Sequence, residues 1–310
     1  MSIHHSPRLL VIVGATGVGK TQLALKLSSL WGGEIISADS MQVYRYMDIG
    51  TAKPSFTMRK QIPHHMIDVV NPNEAFNVSL YINMARRIIT MPGEIQNNFI
   101  VVGGSGLYIK ALLGGLFEDQ GADRDLRNCY REQLETMGRD HLYAMLRERD
   151  ILAADLIDPH DTGRVIRAIE VWSKSGKSIV EKQREHHFRD RPYRYLKIGL
   201  KMDRDQLYRR IDNRAEHMIG QGFVEEVQWL LEQGYDEKLQ SMNSIGYRHL
   251  TAYLRGECRL EDAIEAMKRN TRQYAKRQAT WFNADPEINW FSDDNFTDMT
   301  KLVDEFMNEA

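Results

Sequence analysis

Residues Gly14-Ala15-Thr16-Gly17-Val18-Gly19-Lys20-Thr21 directly follow an apolar run, Arg8-Leu9-Leu10-Val11-Ile12-Val13. Glycines at 14, 17 and 19 let the backbone turn tightly and aim its N–H groups at phosphate oxygens. Ala15, Thr16 and Val18 supply the rest of that cradle. Lys20 adds a positive charge, the Thr21 hydroxyl can hold Mg²⁺, and the N-terminus of the next helix favours an anion. A buried strand feeding such a loop, then an amphipathic stretch (Leu23, Leu25, Leu27, Leu30), commits this end of the chain to a strand–loop–helix unit. It binds a phosphate compound; which one is the open question.

The alternation continues. Strands are expected at Leu9–Val13, Glu34–Ala38 and Phe99–Val102, with helices at Gln22–Trp31 and Val78–Met91. This predicts an α/β fold: a P-loop NTPase-like parallel sheet flanked by helices, with ligand loops 14–21, 39–54 and 103–108 meeting beyond the strand ends. From Phe117 the texture becomes helical and charged, with breaks at Gly138 and Asp158-Pro159, then an Arg/His-rich loop over Arg184–Arg194. A strand returns at Tyr195–Leu200, followed by helices at 204–220, 222–233 and 260–283 and an acidic last helix. The expected organisation is a core of 1–116 with 193–310, and a helical insertion at 117–192.

Composition narrows the partners. At 310 residues with a net charge of −2, the chain can bury a full core, but it can meet a nucleic acid only through a local basic face. Two cysteines without metal-ligand spacing, no signal-peptide core and no 18-residue apolar run lead to the expectation of a soluble cytoplasmic protein without membrane contact. His4-His5 is too short for a metal tract. Nothing demands more than a monomer.

Strand three ends in Gly103-Gly104-Ser105, with no acid at its tip for a γ-phosphate metal, and no guanine-reading Asn-Lys-x-Asp run occurs. The acid that does stand at a strand tip is Asp39. It could ligate metal, cap a turn, accept a proton or stay idle. Ser40, Gln42, Tyr44 and Arg45 after it suit a base edge. Lys268, Arg269, Arg272, Lys276 and Arg277 form a stretch without acids, read as a phosphate-tracking stripe or else a solvated face. Asp161 is expected to cap a helix carrying Arg164 and Arg167 one turn apart. Arg214 alone reads as a solvated helix arginine or one paired with Asp212 or Glu216, and adjacent His64 and His65 as structural or hydrogen-bonding residues.

Several runs together resemble the tRNA dimethylallyltransferase (isopentenyltransferase) family: GATGVGKT, ISADSMQVYRYMDIGTAKP, PHHMID, VVGGSGLYIKAL, DTGRVIRAIEV, IGYR and KRQATWF. The resemblance implies transfer of a dimethylallyl group from dimethylallyl diphosphate to the exocyclic N6 amine of the adenosine 3′ of a tRNA anticodon. The glycine loop would then hold the donor's diphosphate with Mg²⁺, ATP being an alternative occupant. Carried over by residue, Asp39 is the base, Lys20 and Thr21 bind diphosphate and Mg²⁺, Arg214 clamps the leaving group, and Ser105 contacts the acceptor. It also implies tRNA contacts from Asp39, Ser40, Met41 and Gln42; from Arg127, Gly163, Arg164, Val165, Ile166 and Arg167; from Asn243, Ser244, Ile245, Gly246, Tyr247 and Arg248; and from Lys276, Arg277, Gln278, Ala279, Thr280, Trp281, Phe282 and Asn283. The small residues ending strand three would leave room for two substrates to meet.

Four positions depart from the family pattern. Ala15 replaces a proline, Ser105 keeps the hydroxyl of a usual threonine, and Asn243 and Asn283 stand where basic residues are frequent, which bears on tRNA affinity. The competing readings are an ATP-dependent phosphotransferase, prenylation of a free adenine nucleotide, and a non-catalytic RNA-binding protein.

Overall fold

The computed structural model describes residues 8–90, 98–116, 123–186, 188, 190–292 and 295–308. The chain falls into two compact units, Met1–Leu112 with Pro192–Ala310, and Leu113–Arg191. The change of texture expected at 117, the helix end at Met91 and His4-His5 lie outside the described residues.

The first unit opens with β1 (Arg8–Gly14), α1 (Lys20–Trp31), β2 (Glu34–Ala38), α2 (Phe56–Gln61), β3 (His64–His65), α3 (Val78–Thr90), β4 (Phe99–Gly103) and α4 (Gly106–Gly114). It resumes, after α5–α9 of the second unit, with β5 (Arg194–Leu200), α10 (Arg204–Gly220), α11 (Phe223–Glu232), α12 (Tyr247–Leu254), α13 (Leu260–Asn283), β6 (Ile288–Phe291) and α14 (Phe296–Asn308). The strands form one sheet of order β3-β2-β4-β1-β5-β6 in which every pairing is parallel. β1 lies between β4 and β5 with both edges paired, and successive residues from Leu9 to Gly14 are all buried, so both of its faces are covered and it reads as a continuous apolar run. Leu10, Ile12, Leu23, Leu27, Ile100, Ile198 and Val303 share its core.

Parallel register brings the carboxyl ends together. Ala38, the last residue of β2, pairs with Gly103, the last of β4, and β1 ends beside them at Gly14. Asp39, the glycine loop and Ser105 therefore leave the sheet on one side. β3 and β6 were not expected: strands this short carry no periodicity, and only pairing with a neighbour defines them. Helices α2, α4 and α12 were also missed, being 6, 9 and 8 residues long, too short to show a clear helical period.

The second unit comprises α5 (Arg124–Met137), α6 (Arg139–Arg149), α7 (Ile151–Ala154), α8 (Thr162–Ser175) and α9 (Ile179–His186). Gly138 breaks the run as expected, and a further break falls at Asp150, whose buried carboxylate caps α7 through the Ala153 N–H. Part of the stretch read as an Arg/His-rich loop is the end of α9. Leu142, Leu146, Val165, Ile166 and Ile169 form a separate core. No described helix is long and apolar enough to cross a membrane.

Candidate active site

Lys20 opens α1, and Gly19 before it takes a left-handed backbone (φ 107°) that only glycine adopts without strain. The Lys20 ammonium donates to the carbonyls of Gly14 (2.9 Å) and Ala15 (2.8 Å). Burial pulls its pKa down to about 8; the Asp39 carboxylate opposes that shift and Arg214 reinforces it. Burial likewise lowers the Arg214 guanidinium, again against the pull of Asp39. Two cations from the glycine loop and from α10 therefore face one carboxylate at the tip of β2. Asp212 and Glu216, the expected partners of Arg214, instead bind Arg272 and Lys268. Thr21 is exposed in the first turn of α1.

Asp39 also organises its own turn. Its Oδ1 accepts the N–H of Met41 at 2.8 Å and of Gln42 at 3.3 Å. Ser105 Oγ accepts the Ser40 N–H at 3.1 Å, and the Ser105 N–H reaches Ala38 O at 3.1 Å. Loops 39–54 and 103–108 are thus stitched directly.

A cavity of about 280 Å³ opens between these elements. Thr16, Asp39, Ser40 and Arg214 contribute polar groups to its lining, and Ile211, Ala215, Met218, Ile245 and Met267 contribute apolar ones. Tyr274 of α13 also lines it, and burial together with nearby Asp39 pushes that phenol up to about 12, so the hydroxyl stays protonated. A small apolar group attached to an anion matches this mixed lining.

Several residues assigned to tRNA contact face inward instead. Gln278 is buried; its Oε1 accepts the Thr16 N–H at 2.8 Å, and its Nε2 donates to Gly104 O at 2.9 Å. It ties the glycine loop to the end of β4. The small residues at that end have the same origin: a Cβ on Gly104 would lie 2.1 Å from Gln278 Nε2, and one on Gly106 would lie 2.1 Å from Trp281 Nε1. Packing against α13 accounts for glycine at these two positions. Phe282, Tyr247, Val165 and Ile166 are also core residues, because their helices turn those positions inward. The Asn243 Nδ2 is tied to Glu237 O.

The residues after Asp39 need a similar correction. Tyr44 is buried and bridges to Val70, and the Gln42 carboxamide is held by Ser37, Thr51 and Ala52, so neither offers a free edge to a base. The basic stripe shrinks as well. Lys268 is buried between Glu216 and Glu265, and Arg272 pairs with Asp212. Arg269, Lys276 and Arg277 remain exposed on α13, with Trp281 exposed near its end. Sequence reasoning overlooked Glu265 by starting its window at 268, and could not see α10 alongside.

In the second unit, Asp161 caps α8 as expected through the Arg164 N–H. Arg127 and Arg167 both bind Glu170, a fully buried carboxylate that also accepts the Asp123 N–H at 2.7 Å. Back in the first unit, His65 pairs with Glu34 at 2.6 Å and His64 Nδ1 lies 2.7 Å from Ile62 O.

Comparison with known proteins follows the same lines. The profile of a family described as IPP transferase matches residues 42–285, and that of isopentenyl transferase matches residues 7–65. The chain is 52% identical over 301 residues to tRNA dimethylallyltransferase 2 of Syntrophus aciditrophicus, covering 97% of each chain. It is 47% identical over 283 residues to the tRNA dimethylallyltransferase of Geobacter sulfurreducens, covering 91% of each. Among solved structures, the tRNA isopentenylpyrophosphate transferase of Bacillus halodurans superposes with a TM-score of 0.71 at 37% identity, covering 96% of both chains. A eukaryotic dimethylallyltransferase acting on tRNA gives a TM-score of 0.76 at 29% identity, covering 93% of this chain and 74% of the other.

Proposed function

The chain belongs to the IPP transferase family, that of the tRNA dimethylallyltransferases, and from that premise we propose how its site moves the five-carbon group. It transfers a dimethylallyl unit from dimethylallyl diphosphate to the N6 amine of the adenosine 3′ of a tRNA anticodon, forming a C–N bond and releasing diphosphate. The observation that carries the reading is Asp39 opening onto the same cavity as Arg214 and Thr16 of the glycine loop, together with apolar side chains.

Each group then has a task. The glycine-loop N–H groups, Lys20 and Arg214 hold the diphosphate and stabilise the charge that grows on it as the allylic C–O bond breaks. Ile211, Met218 and Met267 exclude water from the allyl group. Asp39 takes the proton that the adenine amine must lose, which such a base accelerates by ~10²–10⁴. Thr21 fits a Mg²⁺ site, its exposed hydroxyl standing one residue from Lys20; the ion would supply further charge neutralisation on the diphosphate. The adenosine must leave its stack, which costs a few kcal/mol, recovered from contacts to the RNA. Arg269, Lys276, Arg277 and Trp281 of α13 support such contacts, as does exposed Arg164 in the second unit, whereas Arg127 and Arg167 are already held by Glu170. The cytoplasm is the compartment this reading requires; Cys129 and Cys258 are both free thiols.

The test offers labelled dimethylallyl diphosphate with unmodified tRNA or with AMP, and labelled ATP separately. Label on tRNA alone supports the proposal. Label on AMP, or cleavage of ATP without need of the isoprenoid, contradicts it.

A further inference from the structure

The segment between the Asp39 turn and α2 carries two non-glycine residues in left-handed backbone, Tyr46 (φ 67°) and Ala52 (φ 47°). Residues between them line the cavity through Gly50 and Thr51. A strained loop keeps one shape only when something outside it imposes that shape. One such group is Glu226, in the first turn of α11.

Its carboxylate accepts three successive backbone N–H groups: Asp48 at 2.9 Å and Ile49 at 2.7 Å on Oε2, and Gly50 at 3.2 Å on Oε1. Oε1 also accepts the Tyr247 hydroxyl at 2.6 Å. Successive N–H groups curled around one point form an anion-binding concavity, and this one is filled by the protein's own side chain. Gly50 fits only because it has no side chain: a Cβ would lie 2.2 Å from Phe223 and 2.6 Å from Tyr247. The held loop in turn presents the carbonyls of Thr51 and Ala52 to Gln42 Nε2, at 3.3 and 3.4 Å, and Gln42 follows Asp39 by three residues in the same turn.

We propose that Glu226 is a positioning residue for transfer, templating the 48–52 loop so that the cavity wall and the Asp39–Gln42 turn are set before substrates bind. It touches no reacting atom, and it rests on the transferase reading given above. Glutamine is not a neutral replacement: its oxygen can keep the Asp48 and Ile49 N–H groups, but its NH₂ then stands against the Gly50 N–H, an obligate donor, and the charge that strengthened all four bonds is gone. The diphosphate grip lies elsewhere, on loop 14–21 and Arg214, so it should survive the change.

The test compares wild type, Glu226→Gln and Glu225→Gln, the last altering an exposed carboxylate one residue away. Transfer to unmodified tRNA gives kcat, and titration with inorganic pyrophosphate and Mg²⁺ gives affinity and stoichiometry. For E226Q we expect kcat to fall roughly tenfold or more, since small misplacements near reacting groups cost that much. Pyrophosphate affinity should stay within about twofold, as for a site without shared partners, at full stoichiometry, with E225Q like wild type. Equal kcat in E226Q and wild type overturns the inference, as does pyrophosphate stoichiometry falling in step with kcat, which marks general unfolding. A wild-type chain that transfers nothing overturns the transferase reading and this inference together.

Discussion

Gln278 Oε1 accepts the backbone N–H of Thr16 at 2.8 Å, across 262 positions of sequence, while its Nε2 donates to Gly104 O. One carboxamide on α13 thereby joins the donor loop to the tip of β4. Gln278→Ala would leave the buried Gly104 carbonyl unpaired, at ~1–3 kcal/mol, and free the half-buried Thr16 N–H at the cavity. The expected result is a lower melting temperature and a lower transfer rate, with tRNA affinity within a few-fold of wild type. A large loss of tRNA affinity without loss of stability would return Gln278 to the RNA interface.

Asp39→Asn isolates the charge, because an amide oxygen can still accept the Met41 and Gln42 N–H groups that shape the turn. Transfer should fall ~10²–10⁴ in kcat, while binding of unmodified tRNA changes little. Turnover near the wild-type rate would remove Asp39 from the role of base.

Lys20 makes the site sensitive to alkali. Its pKa in the folded chain is about 8, below the ordinary 10.5. Between those values the unfolded chain holds a proton that the folded chain has lost, so this group makes stability rise with pH across that window. Anion binding runs the other way, since it needs the ammonium: pyrophosphate affinity should fall as pH rises through about 8. Lys20→Arg, charged throughout, should remove that limb from a calorimetric pH series. A wild-type profile flat across the same range would contradict the assignment.

Lys276 and Arg277 are exposed on α13, while Lys268 and Arg272 are committed to acids. Alanine at both 276 and 277 should weaken tRNA binding and reduce the slope of log affinity against log salt by about 1 for each phosphate left without its cation. Arg272→Ala should act mainly on stability, by stranding Asp212. An unchanged salt slope in the double variant would place the RNA on another face.

The parts legible in the sequence were those whose meaning is local. The glycine loop needs only its own spacing and the strand before it, and Asp39 declares itself by ending an apolar run. What could not be read depends on partners remote in sequence. Lys268 and Arg272 look like RNA-facing charges until Glu216 and Asp212 arrive from α10. Glu226 sits in an ordinary amphipathic helix, and nothing near it announces the three N–H groups of residues 48–50. Tyr44 reads as a recognition residue because an aromatic in a polar loop looks the same whether it faces solvent or, as here, the interior.

The central claim is that the glycine loop grips a departing diphosphate rather than a nucleotide to be cleaved. The direct measurement is mass spectrometry of an unmodified anticodon stem-loop after incubation with the purified chain, dimethylallyl diphosphate and Mg²⁺, with released pyrophosphate measured alongside. The account predicts one five-carbon unit on the adenosine 3′ of the anticodon and one pyrophosphate per unit transferred. RNA of unaltered mass in the presence of folded, pyrophosphate-binding protein would contradict it.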